Sequence, residues 1–365
     1  MILYFCKYIK KMDTNYSKGL TVIAGPCSAE SKEQMIQTAE KLSTVGIKVF
    51  RAGIWKPRTK PGGFEGAGEQ GLRWLKSVKE TTGMQTATEV ANASHVEKAL
   101  KYGVDILWIG ARTTTNPFAV QEIADALKGN KVPIMVKNPV NPDLELWIGA
   151  IERFQNAGLD SVSAIHRGFS SYDKKVFRNP PMWHIPFELR RRMPNLPIIC
   201  DPSHISGNAA LIQAVSQQAV DMGFDGLMIE THINPEAALS DKLQQITPDR
   251  LKEILETLEM RNYCLTSDNL LDLRREIDCI DEQLIDILAR RMKISREIGL
   301  FKKKNSIPVL QTSRYDEIMN NRLSAAETMG INRDFMKELL EILHEESVKQ
   351  QIDEIERTNR HSQGE

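Results

Sequence analysis

The sequence predicts an α/β fold, namely a (β/α)8 TIM barrel followed by a small all-α domain. Eight short apolar segments alternate with helical segments from residue 20 onward, which is typical of a parallel sheet covered on its faces. Several helical segments end at glycine, the usual helix stop. Near residue 265 the strand signals cease and only helical periodicity continues.

Eight strands are predicted in the first part of the chain. In order they are TVIAGP (21–26), KVFRAG (48–53), MQTATEV (84–90), ILWIGA (106–111), PIMVKN (133–138), VSAIHR (162–167), PIICDP (197–202) and GLMIET (226–231). Eight strand–helix units over about 240 residues fit a closed barrel. An open doubly wound sheet is the alternative, but a dinucleotide-binding version would require a G-x-G-x-x-G motif, which is absent after the first strand.

The second part is predicted to be helical from Asn269 to about Gln351, because apolar residues keep helical spacing along it. Pro308 marks a break, and further helices are expected at about 312–327 and 333–356. The predicted organisation is a short N-terminal extension (1–19), a barrel domain (20–262), a helical domain (266–355) and a disordered tail (356–365).

Charge and cysteine content restrict the class of protein. Lys plus Arg and Asp plus Glu number 48 each, and a net charge of zero argues against bulk attraction to nucleic acid or to a membrane. The five cysteines are widely spread with no C-x-x-C pair, which favours a reducing cytoplasm over a disulfide framework or a structural zinc site. The apolar patch in MILYFCKYIKKMD is too short to span a membrane and makes a poor signal peptide.

Cationic residues mark the strand ends, where the active site of a barrel lies. Four strand ends, or the loops that follow them, carry Arg51, Lys56, Arg58, Arg112, Lys137 and Arg167. Any one of these could be a solvated rim charge, but crowded like charges repel one another unless an anion compensates them. Because arginine matches the geometry of carboxylate and phosphate groups, the sequence predicts a polyanionic ligand.

A second set of strand-end residues comprises Cys27, His204, Glu230 and Asp241. Thiolate, imidazole and carboxylate groups are the side chains that bind divalent transition metals. Cys27 alone is more simply explained as a small buried side chain, so the metal interpretation depends on convergence of all four residues. A metal in this place would act as a Lewis acid on a carbonyl oxygen or orient a substrate.

Seven motifs of the barrel region carry a resemblance to a known family. GPCSAE, RAGIWKPRTKP, IGAR, VKNP, HRG, DPSH and IETH–ALSD, in this order over about residues 20–258, resemble 3-deoxy-D-arabino-heptulosonate 7-phosphate (DAHP) synthase of the shorter β-subtype. The KPRT loop favours this family over 3-deoxy-octulosonate 8-phosphate synthase, which is the alternative for the barrel. The resemblance implies a condensation of phosphoenolpyruvate with erythrose 4-phosphate that releases phosphate, at the entry to the shikimate pathway.

The same resemblance implies roles for individual residues. One divalent ion, Mn²⁺ first with Fe²⁺, Co²⁺ and Zn²⁺ as alternatives, would be bound without any organic cofactor by Cys27, His204, Glu230 and Asp241. Phosphoenolpyruvate would be held by Lys56, Arg112, Lys137 and Arg167, with Arg51 nearby, and these four and His204 are the implied catalytic residues. Erythrose 4-phosphate would be bound by Arg58, Thr59 and Asp201. The loop LSDKLQQ departs from the family after its Asp, so its local geometry stays open.

Three cationic residues lie on or beside the apolar stripe of the first long helix: Arg274, Arg291 and Lys302. The simpler interpretation is that their stems lie along apolar surface with the charged heads in water. Arg291 and Lys302 are eleven residues apart and share a helix face. Arg274 points about 100° away from them and could serve a site on a second chain.

The helical region also carries a resemblance. LLDLRREIDCIDEQLIDILARRMKISREIGLFK, PVLQTSRY and EESVKQQ resemble the all-helical chorismate mutase family from Leu270 to Gln351. In that family two chains intertwine and each site borrows an arginine, here Arg274. The resemblance implies rearrangement of chorismate to prephenate in a site completed by Arg291, Lys302, Arg314, Ser347 and Gln351, with Arg291, Lys302 and Gln351 catalytic. Gln311 and Tyr315 replace an Asp and a Glu that assist in the family, so slower turnover is expected.

The two resemblances together predict a bifunctional cytoplasmic enzyme that acts on phosphoenolpyruvate, erythrose 4-phosphate and chorismate. The mutase domain is expected to pair two chains in a homodimer or higher oligomer, and to restrain the barrel when prephenate or chorismate binds. No nucleic acid and no membrane is expected as a partner. The alternative for the helical domain is a catalytically silent sensor and dimerisation module.

Overall fold

A computed structural model describes residues 19–56, 62–172, 176–261 and 268–362 of the chain, with the helical backbone alone at 268–269, 312–314 and 359–362. The predicted substrate residues Arg58 and Thr59 therefore lie outside the described residues, as does the side chain of Arg314. The chain divides into two compact units, Met1–Tyr263 and Cys264–Glu365.

The first unit is a closed barrel of eight parallel strands in chain order. The strands are β1 (Thr21–Gly25), β2 (Val49–Arg51), β3 (Gln85–Val90), β4 (Ile106–Ile109), β5 (Ile134–Lys137), β6 (Val162–His166), β7 (Ile198–Cys200) and β8 (Gly226–Glu230). Direct pairing of β1 with β8 closes the barrel. All eight predicted strands are confirmed, and the open doubly wound sheet is excluded.

Helices surround the barrel. They are α1 (Lys32–Val45), α2 (Glu69–Thr82), α3 (Ala93–Lys101), α4 (Ala111–Thr114), α5 (Pro117–Ala126), α6 (Leu144–Asn156), α7 (His184–Arg192), α8 (Pro202–Ser206), α9 (Ile212–Asp221) and α10 (Pro248–Thr257), with 3-10 turns at Ala209–Leu211, Pro235–Ala237 and Lys242–Gln244. Ser31 illustrates how the sequence starts a helix, since its side chain accepts a hydrogen bond from the Gln34 N–H at the N-terminus of α1. The same helix ends at Gly46, whose φ of 92° is a conformation that favours glycine.

The barrel has two apolar layers. Side chains that point inward form a separate cluster made of Ile23, Val49, Ala87, Ile106, Trp108, Met135, Ile165, Ile199 and Met228. The outward-pointing residues of the strands pack with the helices in a larger cluster. Because side chains alternate along each strand, the inner cluster fills the barrel and leaves the polar strand ends to form its mouth.

The second unit contains three helices, α11 (Asp268–Lys304), α12 (Thr312–Thr328) and α13 (Arg333–Ser362). The break predicted at Pro308 falls between α11 and α12. Helix α13 continues to Ser362, so residues 356–362 are helical where a disordered tail is expected, and residues 363–365 of that expected tail lie outside the described residues. No proline or glycine interrupts the chain between Arg333 and Ser362, and the Thr358 hydroxyl donates to the Glu354 carbonyl within that helix. None of the described helices is long and apolar enough to cross a membrane.

Candidate functional site

The barrel places the predicted site residues at the carboxyl ends of its strands. Arg51, Lys137 and Glu230 are the last residues of β2, β5 and β8, and Arg167 directly follows β6. Cys27 stands two residues beyond β1. Because parallel strands end at one rim of a closed barrel, these groups face a common mouth.

Three of the four predicted metal ligands form a compact cluster. The ligand atoms of Cys27, Glu230 and Asp241 all lie within 4.8 Å of one another. The Cys27 Sγ lies 3.3 Å from Asp241 Oδ2. The fourth predicted ligand, His204, stands beside the cluster with its Nε2 3.8 Å from Glu230 Oε1. The structure thus brings all four predicted residues to one place, with His204 slightly apart.

Buried carboxylate Asp201 connects the cluster to the cations. Its Oδ2 lies 2.8 Å from His204 Nδ1 and accepts a hydrogen bond from Lys137 Nζ at 2.9 Å. Its Oδ1 also accepts a hydrogen bond from the His204 backbone N–H at 3.0 Å. A carboxylate at Nδ1 favours the tautomer that leaves Nε2 free to bind a metal, and Nε2 is the atom that faces Glu230.

The cluster is buried and strongly charged. Burial, together with the nearby Glu230 carboxylate, raises the pKa of the Cys27 thiol to about 12. Burial alone would raise the pKa of both carboxylates, but neighbouring cations outweigh it and both pKa values are lowered. The pKa of Glu230 is lowered by His204 and Arg51, and that of Asp241 by His204 and Arg178. A divalent cation would stabilise the thiolate and compensate these carboxylates.

A carboxylate oxygen in the cluster that lacks a hydrogen-bond partner among the described residues indicates that these side chains fit a divalent transition metal. Glu230 Oε1 is buried, and no hydrogen bond reaches it within the part of the chain described. It lies 3.3 Å from Arg51 Nη1, close enough for an ion pair but outside hydrogen-bond geometry. An orphaned carboxylate oxygen next to a thiol, a second carboxylate and an imidazole is suited to a borderline ion.

Residues that sequence reasoning missed hold the ligands in place. Gln244 Nε2 donates to Glu230 Oε2 at 2.7 Å, and Gln245 Oε1 accepts from the Cys27 N–H at 2.9 Å. Both belong to the loop LSDKLQQ, whose geometry the sequence left open. Asp241 adopts a left-handed φ of 44° there, a conformation that aspartate tolerates better than most residues, and its carboxylate reaches Cys27.

The cations of the mouth surround this cluster. Lys56 Nζ lies 2.9 Å from Cys27 Sγ and donates to the Cys27 carbonyl at 3.0 Å. Burial, together with the neighbouring Arg178 and Arg112, lowers the pKa of Arg167 to about 10. Arg112, on α4, is exposed at the rim. This crowding of positive charge is the arrangement that predicted a polyanionic ligand.

Arg178 is a mouth residue that sequence reasoning also missed. Its guanidinium donates to Asp241 Oδ1 at 3.0 Å and to Gln244 Oε1 at 2.7 Å. It lies in the long connection between β6 and α7. The sequence contains one indication of its role, because residues that follow a barrel strand can reach the mouth. However, Arg178 stands twelve positions after His166, the last residue of β6.

The helical unit contains a second polar cavity, with a volume of about 960 Å³. It is lined by Ile287, Arg290, Arg291, Ile294, Ser295, Ile298, Lys302, Val309, Gln311, Tyr315, Ile318, Arg322, Leu340, His344, Ser347, Val348 and Gln351. Four of these side chains are cationic, and none of the described lining residues is a carboxylate. The cavity is therefore suited to an anion with an apolar body.

Four predicted mutase residues line this cavity: Arg291, Lys302, Ser347 and Gln351. Arg291 donates hydrogen bonds to the Ser347 hydroxyl and, at 2.9 Å, to the Leu343 carbonyl. The Lys302 ammonium donates to the Val309 carbonyl at 2.7 Å. Gln351 Oε1 is buried, with no hydrogen-bond donor on it from the described residues.

The lining of the cavity agrees with the prediction for Arg274, which is expected to serve a second chain, and adds two residues that were not predicted. Arg274 is exposed on α11 and does not line it. Arg322 and His344 do line it without having been predicted, and the ring of His344 packs on that of Tyr315 at 4.7 Å between centroids. Tyr315 and Arg322 lie seven residues apart on α12, close to two helical turns, and so share a helix face.

Comparisons with known proteins agree with the two units. Residues 11–266 match the model of the DAHP synthetase I family, and residues 273–352 match that of chorismate mutase type II. Phospho-2-dehydro-3-deoxyheptonate aldolase from Thermotoga maritima is 34% identical over 239 residues, which are 66% of this chain and 69% of that protein. A 2-dehydro-3-deoxyphosphooctonate aldolase from Geotalea daltonii is 28% identical over 262 residues, covering 66% of this chain and 91% of that protein.

Solved structures give the same relationship. The crystal structure of the Thermotoga maritima DAHP synthase superposes with a TM-score of 0.58 at 33% identity, covering 65% of this chain and 67% of that one. A truncated form of that enzyme gives 0.57 at 31% identity, covering 65% of this chain and 84% of the other. The chain belongs to the DAHP synthetase I family and carries a chorismate mutase type II domain, which makes it a bifunctional shikimate-pathway enzyme.

Proposed function

We propose that the barrel condenses phosphoenolpyruvate with erythrose 4-phosphate in a metal-dependent reaction, and that the helical domain converts chorismate to prephenate and mediates feedback inhibition. The single observation that carries the synthase proposal is the cluster of Cys27, Glu230 and Asp241 at the barrel mouth, with cations around it. The proposed ion is Mn²⁺, with Fe²⁺, Co²⁺ and Zn²⁺ as alternatives, because all accept this mixed ligand set.

The ligand residues of the barrel would be Cys27, Glu230, Asp241 and, through Nε2, His204. When bound, the metal supplies Lewis-acid polarisation of the aldehyde oxygen. Gln244 and Gln245 hold two ligand residues in place by hydrogen bonds. The chain's own contribution at the metal is therefore a preorganised set of donors, oriented by neighbouring amides and by Asp201.

The cations have the separate task of holding the anionic reactants. Lys56, Arg112, Lys137 and Arg167 come from four different strand ends, so they can contact a phosphate and a carboxylate from several sides. Holding two charged reactants in line contributes through proximity and through electrostatic stabilisation. Arg51, buried next to Glu230, supports this arrangement.

Phosphate release tests the synthase proposal. Full-length protein with added Mn²⁺ should release phosphate from phosphoenolpyruvate when erythrose 4-phosphate is present. Arabinose 5-phosphate, tested in parallel, should support little release. A preference for arabinose 5-phosphate would instead identify the barrel as a 3-deoxy-octulosonate 8-phosphate synthase, and release with neither aldehyde would contradict both assignments.

The cavity of the helical unit supports the mutase proposal. The proposed rearrangement needs no nucleophile, acid or base, so cationic groups that bind two carboxylates and stabilise the charge developing on the ether oxygen are sufficient. Arg291 and Lys302 are the proposed cations, and Lys302 with Gln351 the groups at the ether oxygen. The loss of chorismate absorbance should follow enzyme addition, and Lys302→Ala should abolish it.

We also propose that two chains pair through the helical domain. Apolar side chains outside the cavity are exposed along α11, namely Leu270, Leu273, Ile277, Ile280 and Leu284. An exposed apolar stripe of this length marks a protein–protein interface. Arg274 lies on the same helix about 25 Å from Arg291, so it would complete the cavity of a partner chain. Sedimentation should show a dimer, and a monomer with full mutase activity would contradict this pairing.

Regulation is the proposed reason for the fusion. The mutase cavity would bind prephenate or chorismate, and occupancy of that cavity would restrain the synthase. Prephenate should therefore lower phosphate release by the intact chain. Indifference of the synthase to both ligands would contradict this. Tight prephenate binding without measurable chorismate turnover would instead favour a silent sensor domain.

A cytoplasmic location accords with the absence of disulfides among the described cysteines, Cys27, Cys200 and Cys279.

A further inference from the structure

A buried tryptophan inside the barrel contacts two cations of the mouth. Trp108 belongs to β4 and to the inner apolar cluster, and it is 1% exposed. The guanidinium carbon of Arg51 lies 4.9 Å from a Trp108 ring centroid, and Lys137 Nζ lies 5.9 Å from it. Both distances are within the range of a cation–π contact. A single ring therefore supports charged groups that end two different strands, β2 and β5.

The edge of the same ring places a carboxylate. Trp108 Nε1 donates a hydrogen bond to Glu89 Oε2 at 2.9 Å. A Cβ atom at Gly110 would lie 2.2 Å from Glu89 Oε1, so the absence of a side chain at Gly110 leaves the space that this carboxylate occupies. The Trp108 ring therefore binds the Glu89 carboxylate through its N–H group and contacts the Arg51 and Lys137 cations through its face.

Arg51 depends on the ring because its other partners are few. Its side chain is 1% exposed, and its Nη2 donates to the Cys27 carbonyl at 3.1 Å. Its Nε and Nη1 find no hydrogen-bond partner among the described residues, although Nη1 lies 3.3 Å from Glu230 Oε1. A buried guanidinium short of acceptors is costly, and an aromatic face is the remaining source of stabilisation for it.

We propose that Trp108 is a positioning residue, which holds Arg51 and Lys137 so that the two cations meet the phosphoenolpyruvate anion together, and which fixes the Glu89 carboxylate at the edge of the ring. This inference rests on the proposed synthase function. The competing explanation is that Trp108 merely fills the barrel. Filling predicts a loss of stability alone, whereas positioning predicts a loss of affinity for the anion.

The test compares three variants of the full-length protein. Trp108→Leu removes both the aromatic ring and the N–H donor. Trp108→Phe removes the N–H donor but keeps an aromatic ring, which is smaller than the indole. Trp147→Phe is the matched control, because Trp147 is equally buried and also donates one hydrogen bond, to the Val136 carbonyl at 3.1 Å, but belongs to the outer apolar layer. For each protein, calorimetry with phosphoenolpyruvate and Mn²⁺ gives the dissociation constant, and denaturant unfolding gives the stability.

Positioning predicts that Trp147→Phe binds phosphoenolpyruvate as the native protein does. Trp108→Leu should weaken binding about tenfold, a loss within the range of a cation–π contact, and Trp108→Phe should weaken it less. If Trp108→Leu does not fold, the comparison of Trp108→Phe with Trp147→Phe decides. Equal dissociation constants for the Trp108 and Trp147 variants would overturn the inference, even if all were less stable. A native protein that does not bind phosphoenolpyruvate would overturn the proposed function itself, and this inference with it.

Discussion

Replacing Asp201 by asparagine should weaken the barrel mouth in two measurable ways. The Asp201 carboxylate is buried between Lys137 Nζ, at 2.9 Å, and His204 Nδ1, at 2.8 Å. Asparagine keeps the shape but removes the charge, so the buried Lys137 ammonium loses the carboxylate with which it forms an ion pair. Breaking a buried ion pair costs about 3–5 kcal/mol. Loss of a carboxylate that orients a metal-binding histidine lowers metal affinity by about 10- to 100-fold.

The assay follows both quantities in one preparation. Denaturant unfolding of the chelated protein gives the free energy of unfolding, and titration with Mn²⁺ gives the metal dissociation constant. Asp225→Asn is the control, because Asp225 also forms an ion pair, with Arg190 at 2.7 Å, but directly precedes β8 at the opposite end of the barrel. If Asp201→Asn changes stability no more than Asp225→Asn and leaves Mn²⁺ affinity intact, the proposed link between Asp201 and the metal site is wrong.

Three further predictions follow from single contacts. Gly110→Ala should lower the rate of phosphate release by about tenfold to a hundredfold, because the new Cβ would displace the Glu89 carboxylate, while Gly149→Ala, which meets no atom within 4 Å, should leave the rate unchanged. Arg322→Gln should raise the KM for chorismate about threefold to fivefold and reduce its salt dependence, since Arg322 lines the anion cavity; an unchanged KM would remove it from the site. Burial lowers the pKa of His166 to about 3 from 6.5, so the unfolded chain binds a proton that the folded barrel excludes. Stability should therefore fall by about 2 kcal/mol between about pH 7.5 and about pH 5, and a His166→Phe variant that loses as much over this interval would refute the assignment.

The barrel could be predicted because its strands and helices leave strong periodic signals. Near-continuous apolar runs such as ILWI and IMVK can be buried on both sides only in a parallel sheet with covered faces. Strand ends then locate Arg51, Lys137 and Glu230 at the mouth without any knowledge of contacts. The resemblance to known families added the chemistry expected of each residue, which periodicity alone does not contain.

Residues that support the site could not be predicted in the same way. Gln244, Gln245 and Arg178 lie in irregular segments, where no period relates a side chain to the face that it contacts. Trp108 looks like any other apolar strand residue in the sequence, and only the closed barrel shows that its ring meets Arg51. Long-range contacts of this kind depend on the register of neighbouring strands, which local sequence does not determine.

The helical domain illustrates a different limit. Helical spacing correctly separated Arg274 from the face of Arg291 and Lys302, and the cavity is lined by the latter two but not by Arg274. The contributions of Arg322 and His344 depend on how α12 and α13 pack against α11, which spacing along a single helix cannot reveal. The length of α13 is a further case. Polar composition alone predicts disorder over residues that continue this helix in the structure.

The most direct test of the central claim, that the ligand cluster makes the barrel a metal-dependent synthase, is phosphate release from phosphoenolpyruvate and erythrose 4-phosphate by chelator-treated protein before and after addition of Mn²⁺. The native protein should be inactive after chelation and regain activity with Mn²⁺, whereas Cys27→Ala should stay inactive under the same conditions. Full activity of the chelated native protein, or equal recovery of Cys27→Ala, would contradict the account.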